Sequence, residues 1–136
     1  MSLRMVENGS RTPTEDPAVR MQVPADSSFV RTVRMATQGV AALAGFDVEE
    51  HEDLRVGINE VLAALLEAGD GSPLQLSFAV EGSTFWFHGR SPAGPTPVDD
   101  QRWELSDRML AELVDDHHVE VGTVVDVRIA KRKGSW

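Results

Sequence analysis

The chain has 136 residues, of which 41% are apolar, so it is long enough for one domain with a hydrophobic core and too apolar for global disorder. The absence of cysteine excludes disulfides, thiol catalysis and cysteine-based metal sites. Twenty-two acidic residues against 13 basic ones give a formal charge of −9, which argues against nucleic acid and anionic membrane surfaces as partners. This charge suits a basic protein partner or plain solubility.

The chain shows no sign of a membrane or secretory segment. No apolar run approaches the roughly 20 residues that a membrane-spanning helix needs, and the apolar stretch of a signal peptide is missing. We therefore expect a cytoplasmic protein. Residues 1–20 are polar and aperiodic and contain two prolines, which predicts a flexible tail ahead of a single domain over residues 21–133.

The predicted elements begin with a short strand over residues 21–24. A helix follows, because apolar residues recur at helical spacing until Gly45 ends the pattern. Asp47 can accept hydrogen bonds from the first free N–H groups of a second helix, which Gly69 ends. The apolar face of that helix consists of Leu54, Ile58, Val61, Leu62 and Leu65.

A hairpin and a loop come next. Apolar residues alternate over residues 74–80, and the turn signal Glu81-Gly82 predicts that residues 84–88 pair back in an antiparallel hairpin. Residues 89–100 hold three prolines and predict a loop.

The last predicted elements are a helix over residues 103–115 and one long strand over residues 119–129, where apolar residues alternate. The other face of that strand carries Asp126 and Arg128, which should face solvent. The order strand, helix, helix, hairpin, loop, helix, strand predicts an α+β fold. We expect a two-layer sandwich in which three helices cover one face of a mostly antiparallel sheet.

Four segments resemble, in order and spacing, the bacterial anti-sigma factor serine kinases, which belong to the histidine-kinase-like (GHKL, Bergerat-fold) ATPases. The segments are VPADSSFVRTVR, EDLRVGINEVLAALLEA, the hairpin from Leu74 to Gly89, and LSDRMLAELVDDHHVEVGTVVDVRIAKR. The resemblance spans residues 23–131 and implies a histidine-kinase-like ATPase fold.

The second segment resembles a catalytic helix with one residue changed. In the family, a Glu-x-x-x-Asn helix supplies a Glu that activates the attacking group and an Asn that binds the magnesium ion on ATP. Glu60 matches the Glu, but Ala64 stands where the family has Asn. A methyl group cannot supply the oxygen ligand that magnesium requires. The resemblance therefore implies that Glu60 is the vestige of a general base.

Two further nucleotide-binding motifs of the family are also changed. The Asp-x-Gly-x-Gly motif, whose Asp binds adenine, corresponds to a stretch that has no Asp and keeps Gly89, Arg90 and Gly94 as a degenerate nucleotide loop. The glycine-rich turn that wraps the phosphates corresponds to residues 99–105, which contain two acids at their start and no glycine. We therefore expect no cofactor. ATP and Mg²⁺ would bind only if the degenerate pocket still binds nucleotide, for instance in a divergent mode that uses Glu60 and Arg90.

Three other residues invite a functional interpretation. His117 and His118 are adjacent on a predicted strand and would point to opposite faces, so we expect no metal site there. Trp103 would either fill the space that adenine takes in the family or pack its helix against the core.

Arg31 and Arg34 lie three residues apart, on one face of the first predicted helix. In the resembling family this region engages sigma factors and anti-anti-sigma proteins, so the resemblance implies these partners and makes both arginines candidate contacts. A solvated helix face is the alternative. Family members commonly form homodimers, so the resemblance also implies a homodimer.

These observations favour an anti-sigma-type transcription regulator that sequesters its partner by contact, with lost or weak ATP binding. One alternative is an active ATP-dependent serine kinase that phosphorylates an anti-anti-sigma factor. The other is a non-catalytic scaffold domain with a different partner.

Overall fold

The computed structural model describes residues 3–7, 19–95 and 99–134. The helices in these residues are α1 (Val30–Ala41), α2 (Val48–Ala68) and α3 (Asp100–Leu113). The strands are β1 (Leu3–Glu7), β2 (Val19–Val23), β3 (Leu74–Glu81), β4 (Thr84–Pro92), β5 (Asp116–Val121) and β6 (Val124–Arg132). Single 3-10 turns, Ser27–Phe29 and Ala42–Ala44, flank α1. Among the described helices, none is long and apolar enough to cross a membrane.

The strands form a six-stranded sheet in the order β1-β5-β6-β4-β3-β2, and every neighbouring pair is antiparallel. The three helices cover one face of this sheet, and a single large apolar core lies between the two layers. The α+β two-layer sandwich predicted from the sequence is thus confirmed.

The start of the chain contributes to the sheet. β1 pairs with β5 at one edge, and β2 begins at Val19, two residues before the predicted strand. Residues 3–7 and 19–20 therefore belong to the sheet rather than to a tail, and the domain extends beyond its predicted start at residue 21. The remainder of the predicted tail, residues 1–2 and 8–18, lies outside the described residues.

The long strand predicted over residues 119–129 is wrong, because β5 and β6 form a hairpin around Gly122 and Thr123. Val121 pairs with Val125, and paired residues of an antiparallel ladder point to the same face. Positions 121 and 125 are an even number of residues apart. The apolar alternation therefore passes through the turn with its phase unchanged, and the sequence pattern does not reveal the turn.

The central helix of the helical layer is α2, which contacts α1, α3 and the sheet. A capping box begins it: the N–H of Glu50 donates to Asp47 Oδ1 over 2.8 Å, and the N–H of Asp47 donates to Glu50 Oε1 over 2.9 Å. All five residues of its predicted apolar face are buried, as the sequence indicates: Leu54, Ile58, Val61, Leu62 and Leu65.

At Gly89 in β4, helix α2 packs tightly against the sheet. A Cβ atom on residue 89 would lie 2.8 Å from Leu65 Cδ1, 3.1 Å from Leu76 Cδ2 and 3.2 Å from Val127 Cγ2. Contacts this short leave no room for a side chain, so the absence of a Cβ lets Leu65 rest on the strand itself.

The back face, which is the face of the sheet opposite the helices, is not simply solvated. The side chain of Asp126 is only 13% exposed, because His88, Arg90 and Arg128 surround its carboxylate. The expectation that Asp126 faces solvent is therefore wrong. A small apolar cluster on the same face consists of Ala79, Trp86 and Ala130.

Substituting Gly89→Ala should lower the free energy of unfolding by about 1 to 3 kcal/mol, because the added methyl overpacks the contact with Leu65. Gly39→Ala is the matched control. Gly39 lies inside α1, and a Cβ atom added to it would have no other atom within 4 Å, so alanine there should stabilise the helix by up to about 1 kcal/mol. Urea denaturation of both variants measures the two changes. Equal effects at the two positions would contradict the packing role of Gly89.

Candidate functional site

The stripe of α2 that faces α3 carries Gly57, Glu60, Ala64 and Glu67, which recur every three or four residues. Contacts along its length define this interface. A Cβ atom on Gly57 would lie 3.2 Å from Val114 Cγ1, so the two helices approach closely at this end.

Glu60 forms a hydrogen bond with α3. The Oγ atom of Ser106 donates to Glu60 Oε2 over 2.9 Å, and Ser106 is 5% exposed. Because the bond is partly buried and its acceptor is charged, it is a stronger link between the helices than a neutral surface hydrogen bond would be.

Two turns further along α2, Arg102 and Glu67 form a two-pronged ion pair. Arg102 Nε lies 2.9 Å from Glu67 Oε2, and its Nη2 lies 2.8 Å from Oε1. Both side chains are about half exposed, so solvent screens the pair, and it orients α3 more than it stabilises the fold.

Ala64 lies on the stripe between these two links and is 2% exposed. On α3, Trp103 lies between the two partner residues, Arg102 and Ser106, and is 5% exposed. Ala64 and Trp103 belong to the same buried core, so the interface at this level is apolar. Trp103 is thus part of the packing between α3 and the core.

The first turn of α3 is capped by an acid. The carboxylate of Asp99 accepts hydrogen bonds from the backbone N–H groups of Gln101, over 3.0 Å, and Arg102, over 3.4 Å. Asp100 adds a second acid in this turn. The partial positive charge at the start of α3 is therefore neutralised by the carboxylates of Asp99 and Asp100.

Gly94 lies against the end of α2. Its N–H donates to the carbonyl oxygen of Ala68 over 2.8 Å, and a Cβ atom on it would lie 2.6 Å from the oxygen of Gly69. The N–H of Asp70 donates to the oxygen of Pro92 over 2.9 Å. Like Gly89, Gly94 therefore has a role in packing the chain onto α2.

The structure brings Glu60 and Ala64 together on one stripe and separates them from the other candidate residues. Arg90 lies on the back face of the sheet, where its Nε is 3.3 Å from Asp126 Oδ2. The sheet therefore separates Arg90 from Glu60. Arg31 and Arg34 lie on α1, where Arg31 is exposed.

Sequence reasoning missed the residues of α3 that contact α2 and β5. Ser106 and Arg102 are ordinary helix residues by pattern, and their partners lie 46 and 35 positions away. His117 is 1% exposed, and its Nε2 lies 2.7 Å from Asp107 Oδ1. No group of three or more potential metal ligands is present in the described part of the chain.

No protein-family profile matches the sequence, and no curated protein matches it significantly. Among solved structures, the chain is similar to the crystal structure of the RsbU and RsbW domains of Rv1364c from Mycobacterium tuberculosis, with a TM-score of 0.65 and 20% identity. The match covers 85% of this chain and 33% of that one, so the chain spans about a third of that structure's length. At this identity the likeness shows the fold. The chain has the histidine-kinase-like ATPase fold that its motifs resemble.

The link between Glu60 and Ser106 can be measured by a double-mutant cycle with Glu60→Ala and Ser106→Ala. We expect a coupling free energy of about 1 to 2 kcal/mol, because the hydrogen bond is charge-assisted and partly shielded from water. The exposed pair Glu67 and Arg102 is the control and should couple by less than about 1 kcal/mol. Denaturation of the single and double variants gives both values. A coupling near zero for the first pair would contradict the contact.

Proposed function

We propose that this chain is an anti-sigma-type transcription regulator that acts by binding its partner and not by transferring phosphate. The fold it shares with a solved structure containing an RsbW domain, together with the four matching sequence segments, supports this class of protein. Bound to the chain, a sigma factor could not reach RNA polymerase, and an anti-anti-sigma protein would release it by competition. The switch would be a difference between two affinities.

The main observation that supports the absence of phosphoryl transfer is the buried methyl of Ala64. At this position the resembling family uses an Asn to bind magnesium, and Ala64 offers no ligand atom. Phosphoryl transfer depends on positioning and on charge neutralisation, and the metal supplies much of both. A catalytic Glu at position 60 without that ion would have no activated phosphate to work on.

The capped start of α3 also disfavours a nucleotide. A phosphate bound there would compete with the carboxylate of Asp99 for the N–H groups of Gln101 and Arg102. It would also be repelled by Asp100. Glu60 stands at the position where the resembling family has its general base, and it accepts a hydrogen bond from Ser106.

The exposed side of α1 supports a protein-binding role. Arg31 and Met35 lie four residues apart on this helix, and Met35 is 64% exposed. Leu43 and Val48, at the junction between α1 and α2, are 71% and 86% exposed. A cation beside exposed apolar side chains is typical of a protein interface. We infer that this surface binds the sigma factor in the cytoplasm. We also propose that the chain forms a homodimer.

Calorimetric titration with Mg²⁺-ATP and with ADP tests the loss of nucleotide binding. We expect no heat of binding at millimolar nucleotide. The variant Ala64→Asn should also fail to bind, because the carboxylate of Asp99 still occupies the start of α3. Micromolar binding that disappears in Glu60→Ala would contradict the proposal and favour the serine kinase.

The partner surface is tested by Arg31→Glu, with Arg108→Glu as a control that makes the same charge change on an exposed position of α3. Labelled sigma factors from the organism that encodes the chain are titrated with each variant, and binding is followed by fluorescence anisotropy. We expect Arg31→Glu to weaken binding about tenfold or more and Arg108→Glu to leave it unchanged. If no sigma factor binds the unaltered chain, a scaffold domain with another partner becomes the better explanation.

A further inference from the structure

The back face of the sheet buries a tryptophan that no described helix covers. Trp86 in β4 is 4% exposed, and its partners on the two neighbouring strands, Ala79 and Ala130, are each 2% exposed. These three residues form an apolar cluster separate from the main core. In the described part of the chain, all three α-helices lie on the other face of the sheet. The burial of this cluster therefore has another source.

The side chains around Trp86 do not account for its burial. Its cross-strand partners carry only methyl groups, which cannot rise above an indole ring. The Nε atom of Arg128 lies 3.2 Å from Asp126 Oδ1, so this side chain points along β6 away from Trp86. The side chain of Arg132 is 69% exposed and contacts Asp115. Burial of the indole therefore requires a further segment of chain.

The strand register places both ends of residues 8–18 beside this cluster. β1 and β2 are the two edge strands of the sheet, and Glu7 at the end of β1 lies in the same row of the register as Val19 at the start of β2. The next row, in the direction in which β1 ends, contains Asp116, Ala130, Trp86 and Ala79. The segment therefore leaves one edge of the sheet and returns at the other, both times at the level of Trp86.

The length of this segment favours the direct route over the back face. The two edges are five strand spacings apart, which is about 24 Å at about 4.8 Å for each spacing. Twelve backbone steps join Glu7 to Val19 and span at most about 40 Å. A route over the helical layer would add at least about 20 Å, because a helix about 10 Å in diameter must be climbed and descended. A route around the strand ends would leave Trp86 uncovered.

The composition of residues 8–18 suits this route. Their sequence, NGSRTPTEDPA, contains two prolines, which favour an extended chain and cannot donate a backbone hydrogen bond to a strand. A chain that crosses at an even pace reaches β4, three spacings from β1, near Pro13 and Thr14. A proline ring is apolar and packs well against an indole, as in the aromatic grooves that bind proline-rich segments.

We propose that the back face around Trp86 is a docking surface whose occupant is the chain's own segment 8–18, with Pro13 against the indole. The segment ties β1 to β2 across the sheet and covers the apolar cluster. The back face is then closed to a second copy or a partner protein, which must use another surface, such as the one that carries Arg31. The inference uses only the sheet and is independent of the proposed anti-sigma function.

Acrylamide quenching of Trp86 fluorescence tests the proposal in the full chain. The substitutions Trp103→Phe and Trp136→Phe leave Trp86 as the single tryptophan reporter. We expect weak quenching when residues 8–18 are unaltered, because the indole is 4% exposed. Replacing these residues with a flexible Gly-Ser linker of equal length should raise the quenching constant about threefold or more, since it uncovers the large indole surface.

Two single substitutions in the same reporter chain form a matched pair. Pro13→Ala removes the ring that we place over β4 and should raise the quenching constant. Pro17→Ala makes the same change close to the start of β2 and should leave quenching unchanged. Circular dichroism and urea denaturation establish that each variant is folded. If the linker variant does not fold, the comparison of the two proline variants still decides the proposal.

Several outcomes would overturn the proposal. Strong quenching of Trp86 with the unaltered segment would do so, as would unchanged quenching after the linker replacement. Quenching that rises when the unaltered segment is kept and the protein is diluted would show that a second copy covers Trp86 instead. Equal effects of the two proline variants would contradict the placement of Pro13 against the indole.

Discussion

The contact between Leu65 of α2 and the backbone at Gly89 fixes the rest of the helical layer. A helix that presents Leu65, Leu62 and Ile58 to the sheet has its remaining stripes set by the 100° turn per residue. The stripe of Glu60 and Ala64 must then face α3. The closeness of α2 to β4 thus determines which residues of α2 meet α3, although these residues contribute little to the contact with the sheet.

That geometry limits which side chains fit at position 64. It lies in the apolar core and, in the resembling family, also at the metal. Burying an amide there without a ligand would leave polar atoms unsatisfied, which costs free energy, whereas a methyl is stable at a 2% exposed position. A chain that no longer binds a nucleotide would gain stability from Ala64. The carboxylate cap of Asp99 is consistent with a lost nucleotide site. It accepts hydrogen bonds from N–H groups at the start of α3 that would otherwise be available to an anion.

Patterns within one element were readable from the sequence, and contacts between elements were not. The apolar face of α2 and the hairpin of β3 and β4 follow from local periodicity and turn residues. The β5–β6 turn was hidden because it preserves the phase of alternation. The strand over residues 3–7 has only five residues, which is too short for a clear alternation, and its pairing with β5 depends on distant residues. For the candidate site, the motif singled out Glu60, but its hydrogen bond with Ser106 depends on how two helices dock.

The sheet order also bears on how the chain acquires its structure during synthesis. β6 follows every other described strand in the sequence, yet it lies in the interior of the sheet between β5 and β4. Until the ribosome has released residues 124–132, β4 has no partner on one side, and β1 and β5 cannot join the remaining strands. The nascent chain therefore leaves one edge of β4 unpaired from the synthesis of residue 92 until β6 follows, and the complete sheet can form only when this last strand inserts.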